Sequence, residues 1–173
     1  LAEYLFIAIA SDTGSFKYSN VTAKTHIITA MLYDYNIDAS EINRLMFDTK
    51  SKNMLELEKQ VLETAEFHFD DRCMLLCVTA EMQEKTGCSG TELESVAIIS
   101  RSVDGVKAGL TIKQTDVEEF KISVRTYEPL NASEIGKKLG GGGHKGAAGA
   151  TVYGTLAEVK EKALLAVREC LEA

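Results

Sequence analysis

The sequence predicts an α/β protein in two lobes, and three observations carry that prediction. A nearly continuous apolar run at residues 4–10 has the pattern of a strand buried on both faces of a parallel sheet. Alternating apolar residues at Val106, Ala108, Leu110 and Ile112, and again at Phe120, Ile122 and Val124, have the two-residue period of strands with one buried face. Capping-box signatures at residues 38–41, 91–94 and 155–158 open helices between and after these strands. The expected organisation is the end of a parallel-sheet lobe over residues 1–35, a helical connector over residues 36–71 and a mixed-sheet α/β lobe over residues 72–173.

Composition narrows the class. With 173 residues, 45% apolar and 26% charged, the chain has material for one large core or two small ones. A net charge of −7 argues against wrapping nucleic acid over a broad basic face, but leaves room for a local phosphate pocket. Cys73, Cys77, Cys88 and Cys170 show no paired CxxC spacing, which favours reduced core thiols of a cytoplasmic protein over a zinc site. No segment approaches the length of ~18 apolar residues needed to cross a membrane, and no signal-peptide pattern is present. Leu1 runs straight into the first apolar stretch, so a native polypeptide extending upstream is expected.

Taken in order, the apolar run at residues 4–10 ends in Ser11-Asp12-Thr13-Gly14-Ser15. Ligands of open α/β sheets gather at the carboxyl ends of strands, so Asp12 stands where a metal or phosphate is handled. An Asx-turn or helix cap is the structural alternative for it. Residues 21–35 read as a helix with Ile27, Ile28, Met31, Leu32 and Tyr35 on one face; His26 on it has no partner at ligand spacing. Asp38 and Glu41 open a short helix, and a second helix carries Met54, Leu57, Val61 and Ala65. His68 beside Asp70 and Asp71 is a junction residue leading into the strand at Cys73–Val78, with metal binding as the alternative. Thr79 caps a short helix stopped by Gly87, and Thr91 with Glu94 opens another that runs to about Ser102.

A hairpin turning at residues 115–117 joins the two alternating strands, and the second presents Lys121, Ser123 and Arg125 on its other face. Arg125 can grip a phosphate or carboxylate with its planar fork, or sit exposed on a solvated face. Asn131 and Glu134 start a helix with Ile135 and Leu139, for which Gly140 is the stop. Then comes the most distinctive stretch, Gly140-Gly141-Gly142-Gly143-His144-Lys145-Gly146-Ala147-Ala148-Gly149. Successive residues without Cβ let backbone N–H groups approach an anion; a flexible linker is the alternative. A small-residue strand follows, and Thr155 with Glu158 opens a terminal helix carrying Val159, Ala163, Val167 and Leu171.

The order of these signals resembles one family. Asp12-Thr13-Gly14-Ser15-Phe16-Lys17-Tyr18-Ser19, the Ser123-Val124-Arg125-Thr126 strand, Asn131-Ala132-Ser133-Glu134-Ile135 and the glycine-histidine run are similar to the DHH/DHHA1 phosphoesterases, of the nanoRNase and pAp-phosphatase type. The resemblance implies that residues 1–35 close the DHH catalytic lobe and that the stretch from about Arg72 is a complete DHHA1 substrate-binding lobe. It implies a Mn²⁺-dependent enzyme, with Asp12 as its catalytic metal ligand here. Arg125, Gly141, Gly142, Gly143 and His144 would bind substrate, His144 by donating to a phosphoryl oxygen and Lys145 by adding positive potential. The partners it implies are short RNA oligonucleotides or phosphorylated nucleotides, with no membrane, in a cytoplasmic protein that admits a homodimer.

Two departures qualify this. The Asp-His-His triplet and the earlier aspartate motifs have no counterpart, so the other metal ligands are expected upstream of Leu1 and this chain alone is expected to be inactive. Lys113-Gln114 stands where relatives often show an Arg-Glu pair, and Thr126 where serine is common. A cyclic- or linear-dinucleotide phosphodiesterase and a non-catalytic nucleotide- or RNA-end-binding module remain as rivals, and a purely structural protein would require the glycine run to be disordered.

Overall fold

A computed structural model describes residues 1–172, except for the side chain of Thr91. The chain divides into two compact units, Leu1–Ser51 and Lys52–Ala173.

The first unit is helical. Helices α1 (Ala2–Asp12), α2 (Ala23–Tyr33) and α3 (Ala39–Asn43) are followed by a π-helical turn, Arg44–Asp48. The strand expected over residues 4–10 is therefore part of α1. An unbroken apolar run has no period of its own, and the burial decides it: Phe6 and Ala10, four residues apart, are both fully buried. No strand is found among the described residues of this unit to pair with the run. Phe6 meets Tyr33 edge-on at 6.1 Å, and Leu32, Ile37 and Ala39 complete a small core. Of the apolar face expected on α2 only Leu32 is buried, together with Thr29; Ile27 and Met31 are each 61% exposed. Asp38 caps α3 as expected, accepting from the Glu41 amide at 2.9 Å.

The second unit is a six-stranded mixed sheet of order β1-β2-β3-β4-β6-β5. Its strands are β1 (Glu66–His68), β2 (Cys73–Val78), β3 (Ala108–Asp116), β4 (Glu119–Thr126), β5 (Gly142–His144) and β6 (Ala147–Tyr153). Only β2 and β3 pair in parallel. Their crossover carries helices α5 (Ala80–Thr86) and α6 (Thr91–Ile99), following α4 (Lys52–Leu62). Helix α4 and strand β1, expected within a connector over residues 36–71, belong to this unit: Met54, Leu57 and Val61 pack against Met74, Leu76 and Val78 of β2.

Strand β2 is buried along its whole length, which explains its lack of alternation. Its Cys73, Leu75 and Cys77 face the larger core, shared with Ala108, Leu110 and Ile112 of β3 and Phe120, Ile122 and Val124 of β4. Helices α7 (Ala132–Lys138) and α8 (Leu156–Leu171) close that core with Ala132, Ile135, Val159, Ala163 and Val167. The opposite face of β4 and β6 carries Lys121, Ser123, Arg125, Ala147, Gly149 and Thr151, all exposed or half-buried. Capping follows the sequence at Thr79, Asn131 and, with both reciprocal bonds, Thr155 and Glu158. Helix α6 starts at Thr91 with Gly90 at its N-cap; the Thr91 side chain, on which the expected box depended, lies outside the described residues.

One ion pair ties the first strand to the last helix. Lys160 Nζ donates to Glu66 Oε1 at 2.5 Å, and His68 Nε2 lies 3.2 Å from the other oxygen. Lys160 first and His68 second hold the Glu66 carboxyl below its usual value, against its burial. A lowered carboxyl adds stability above its unfolded value near 4.5 that is lost as pH falls through the folded one. With the Glu66 side chain 39% exposed, solvent screening keeps this to roughly 0.5 kcal/mol at neutral pH. Urea unfolding of Glu66→Gln across pH 3–7 is expected to lose that increment at neutral pH and to show a shallower fall below about pH 4.5.

Candidate functional site

The candidate residues of the second unit are aligned by strand register. In the ladder Arg125 of β4 pairs with Ala147 of β6, and Ala147 pairs with His144 of β5. Residues directly opposite in a sheet project to the same face, so Arg125 and His144 flank the small Ala147 side chain, two strand spacings or about 9.6 Å apart. The next row is Ser123, Gly149 and Gly142. A bare strip of sheet thus lies between an arginine and a histidine.

The glycine run is largely the end of the sheet rather than a flexible linker. Gly140 leaves α7 with φ of +81°, a left-handed stop, and Gly142–His144 then pair antiparallel with Ala147–Gly149. Close approach demands the absence of side chains at two places. A Cβ on Gly141 would overlap the carbonyl oxygen of Gly149 and stand 2.7 Å from Ala150 Cα. One on Gly143 would stand 2.5 Å from both the Ala147 oxygen and Ala148 Cα. As the last strand of the sheet, β5 pairs with no further strand among the described residues, which leaves its outer edge of the backbone available to a ligand.

The turn after His144 is held by residues on which sequence reasoning laid little weight. Thr126 Oγ1 donates to the Lys145 carbonyl at 2.9 Å and accepts from the Ala132 amide at 3.1 Å. The Ala132 amide also reaches the Lys145 carbonyl at 2.7 Å, and the Thr126 amide reaches that of Gly146 at 3.2 Å. Thr126 therefore joins β4, the start of α7 and the turn beyond His144. Serine supplies the same hydroxyl, so the departure from the common residue keeps the junction. Arg125 is half-buried, with Nη1 donating to the Val124 carbonyl at 3.1 Å. His144 and Lys145 are exposed.

The first unit offers less. Asp12 is the last residue of α1 rather than the end of a strand, and it is exposed; Asn20 Nδ2 donates to its Oδ2 at 3.0 Å and to its backbone oxygen at 3.1 Å. His26 stacks on Phe16 at 5.4 Å, and His68 contacts Glu66. Among the described residues no three His, Cys, Asp or Glu side chains gather as a metal site. One carboxylate does not fit a two-metal centre, which needs several oxygen and imidazole ligands. The four cysteines are free, and burial pushes the Cys73 thiol up to about 12, as suits a core residue. A cleft of about 550 Å³ between the end of β6 and α8, containing Lys138, Tyr153 and Glu169, includes neither Arg125 nor His144. Among the described residues, no helix is long and apolar enough to cross a membrane.

Residues 75–173 match the family described as the DHHA1 domain. The bifunctional oligoribonuclease and PAP phosphatase NrnA of Thermus thermophilus is 35% identical over 171 residues, covering 98% of this chain and 50% of the relative. The Bacillus subtilis protein of the same name is 24% identical over 152 residues, or 88% of this chain and 47% of that one. The crystal structure of an exopolyphosphatase-related protein from Bacteroides fragilis superimposes with a TM-score of 0.88 at 27% identity, over 97% of this chain and 49% of its own. The chain spans about half the length of the curated relatives it matches.

Proposed function

The chain belongs to the DHHA1 domain family, and from that premise we propose that its second unit is the substrate-holding lobe of a phosphoesterase acting on short RNA oligonucleotides and pAp-like nucleotides. The row Arg125, Ala147, His144 is the observation that carries this reading. A phosphate lying over Ala147 meets the Arg125 guanidinium on one side and the His144 ring on the other, with no bulky side chain between them. Charge-assisted donors arranged this way hold an anion strongly and in one orientation. The glycine edge beside them lets the ligand come up to the backbone. Lys145, at the turn, adds positive potential. Relatives named as bifunctional oligoribonuclease and PAP phosphatase support this choice of substrate classes.

In this reading the lobe selects and holds, and the phosphoester chemistry belongs to a Mn²⁺ centre. A share for Asp12 in that centre rests on the resemblance of its motif alone. The lobe itself takes no metal in this reading.

Calorimetric titration of the 173-residue chain with pAp tests the proposal. The wild type binds, and Arg125→Ala and His144→Ala each weaken binding by about 1–3 kcal/mol, the span for a lost charge-assisted contact. Absence of pAp binding by the wild type, or an affinity unchanged from the wild type in both variants, overturns the assignment. Preferential binding of a cyclic dinucleotide would replace it.

A further inference from the structure

We propose that Lys113 and Lys121 form a second phosphate subsite on the same sheet face as Arg125, so that this face holds an oligonucleotide along its backbone and not only by its end. The inference rests on the nucleotide-holding role of that face.

Register brings the two lysines together. Lys113 of β3 is the ladder partner of Lys121 of β4. Lys121, Ser123 and Arg125 alternate with the buried Phe120, Ile122 and Val124, and Thr111 and Lys113 alternate with the buried Leu110 and Ile112. All five therefore lie on the face away from the larger core. Lys113 is half-buried and has no hydrogen-bond or ion-pair partner among the described residues. Glu94 of α6 lies 3.8 Å from Lys121, leaving one carboxylate for two ammonium groups. Burial first, and Lys121 second, push the Lys113 ammonium below its usual value, with Glu94 opposing. A chain of net charge −7 that sets two lysines side by side here keeps a local excess of positive charge. Without an anion the arrangement is unfavourable; with one it is neutralised.

The stretch between the two subsites has matching chemistry. Ser123 stands midway, half-buried, with its hydroxyl unengaged among the described residues. No aromatic side chain lies among Ser123, Ala147, Gly149 and Gly142, so nothing there stacks a base. Recognition along the strip is then of the phosphate backbone, without regard to base sequence. From Lys121 to Arg125 is four residues, or about 14 Å at the rise of an antiparallel strand. A stacked nucleic-acid strand advances about 3.4 Å per nucleotide. The two subsites thus span about four stacked nucleotides, or fewer of an extended strand, which sets a preference for short oligonucleotides longer than a mononucleotide.

Binding of pAp and of a fluorescent RNA pentamer to the chain, measured by competition and anisotropy at several salt concentrations, tests this. In Lys113→Gln/Lys121→Gln, pentamer affinity is expected to fall about tenfold, and the slope of log K against log salt to shrink by about 0.7 per lysine. Affinity for pAp should stay within about twofold, a change well below one charge-assisted contact. Lys113→Arg/Lys121→Arg should restore both pentamer affinity and slope, and matching thermal melts for the variants exclude a folding defect. Unchanged pentamer affinity and slope overturn the subsite while leaving the Arg125 site intact, as does an equal loss for pAp and pentamer. A wild type that binds neither ligand overturns the underlying reading as well.

Discussion

Gly141→Ala is expected to destabilise the second unit by about 3 kcal/mol and to abolish measurable nucleotide binding, because overpacking against backbone has no side chain that can give way. The new methyl group would occupy the position of the Gly149 carbonyl oxygen and press on Ala150 Cα, so β5 cannot pair with β6. His144 then loses its place in the row with Arg125. The neighbouring glycines supply graded controls. Gly140→Ala meets nothing within 4 Å but must hold φ at +81°, a strain of roughly 1–2 kcal/mol. Gly142→Ala meets neither obstacle and leaves stability nearly unchanged. Urea unfolding of the three variants checks the order. Equal effects at positions 140, 141 and 142 would show that general backbone stiffening, rather than close strand approach, is what the glycines serve.

Much of this fold was readable residue by residue. The strand at Cys73–Val78 has both of its ends where the apolar run has them, since Arg72 precedes and the capping Thr79 follows. Thr155 and Glu158 announced α8, and Asn131 with Gly140 bracketed α7, because caps act within three or four residues of sequence. Residues 4–10 show where local pattern fails. A run of apolar residues with no alternation is equally a buried strand or a helix, and only its neighbours decide. The exposure of Ile27 and Met31 on α2 has the same origin: periodicity marks an apolar face but not what covers it.

Arg125, the glycines and His144 stand out in the sequence as candidates for a phosphate site, but their alignment does not. It depends on the register of β4, β6 and β5, which joins residues 125, 147 and 144 through a turn at 145–146. Register is a property of paired strands, and no single stretch of sequence carries it. The pairing of Lys113 with Lys121 was hidden for the same reason. Thr126 was noted only as standing in place of the common serine, because nothing near it in sequence reveals that its hydroxyl bridges the turn at Lys145 and the amide of Ala132.

The second large effect is expected in Ile135→Ala, at a residue that touches no ligand in the proposed site. A strand made of Gly142, Gly143 and His144 buries almost no side chain of its own, so what holds it must come from β6 and from α7 beneath. Ile135 is fully buried in the larger core, one residue before Gly136, which lies against the Ala148 methyl and the Gly142 backbone. Cutting Ile135 back to alanine leaves a cavity at this junction and is expected to remove about 2–5 kcal/mol of stability. The loss should be uneven: hydrogen exchange of the β5 and β6 amides should accelerate more than that of β2, whose bonds run between β1 and β3. Affinity for pAp should fall with it, since a binding edge that must first be ordered loses part of its binding free energy to that ordering. If exchange instead rises uniformly across β2 and β6, α7 supports the domain as a whole, and the site has no separate anchor. In the proposed site, a bare glycine strand presents the ligand-facing edge and the helix packed under it, α7, supplies the rigidity.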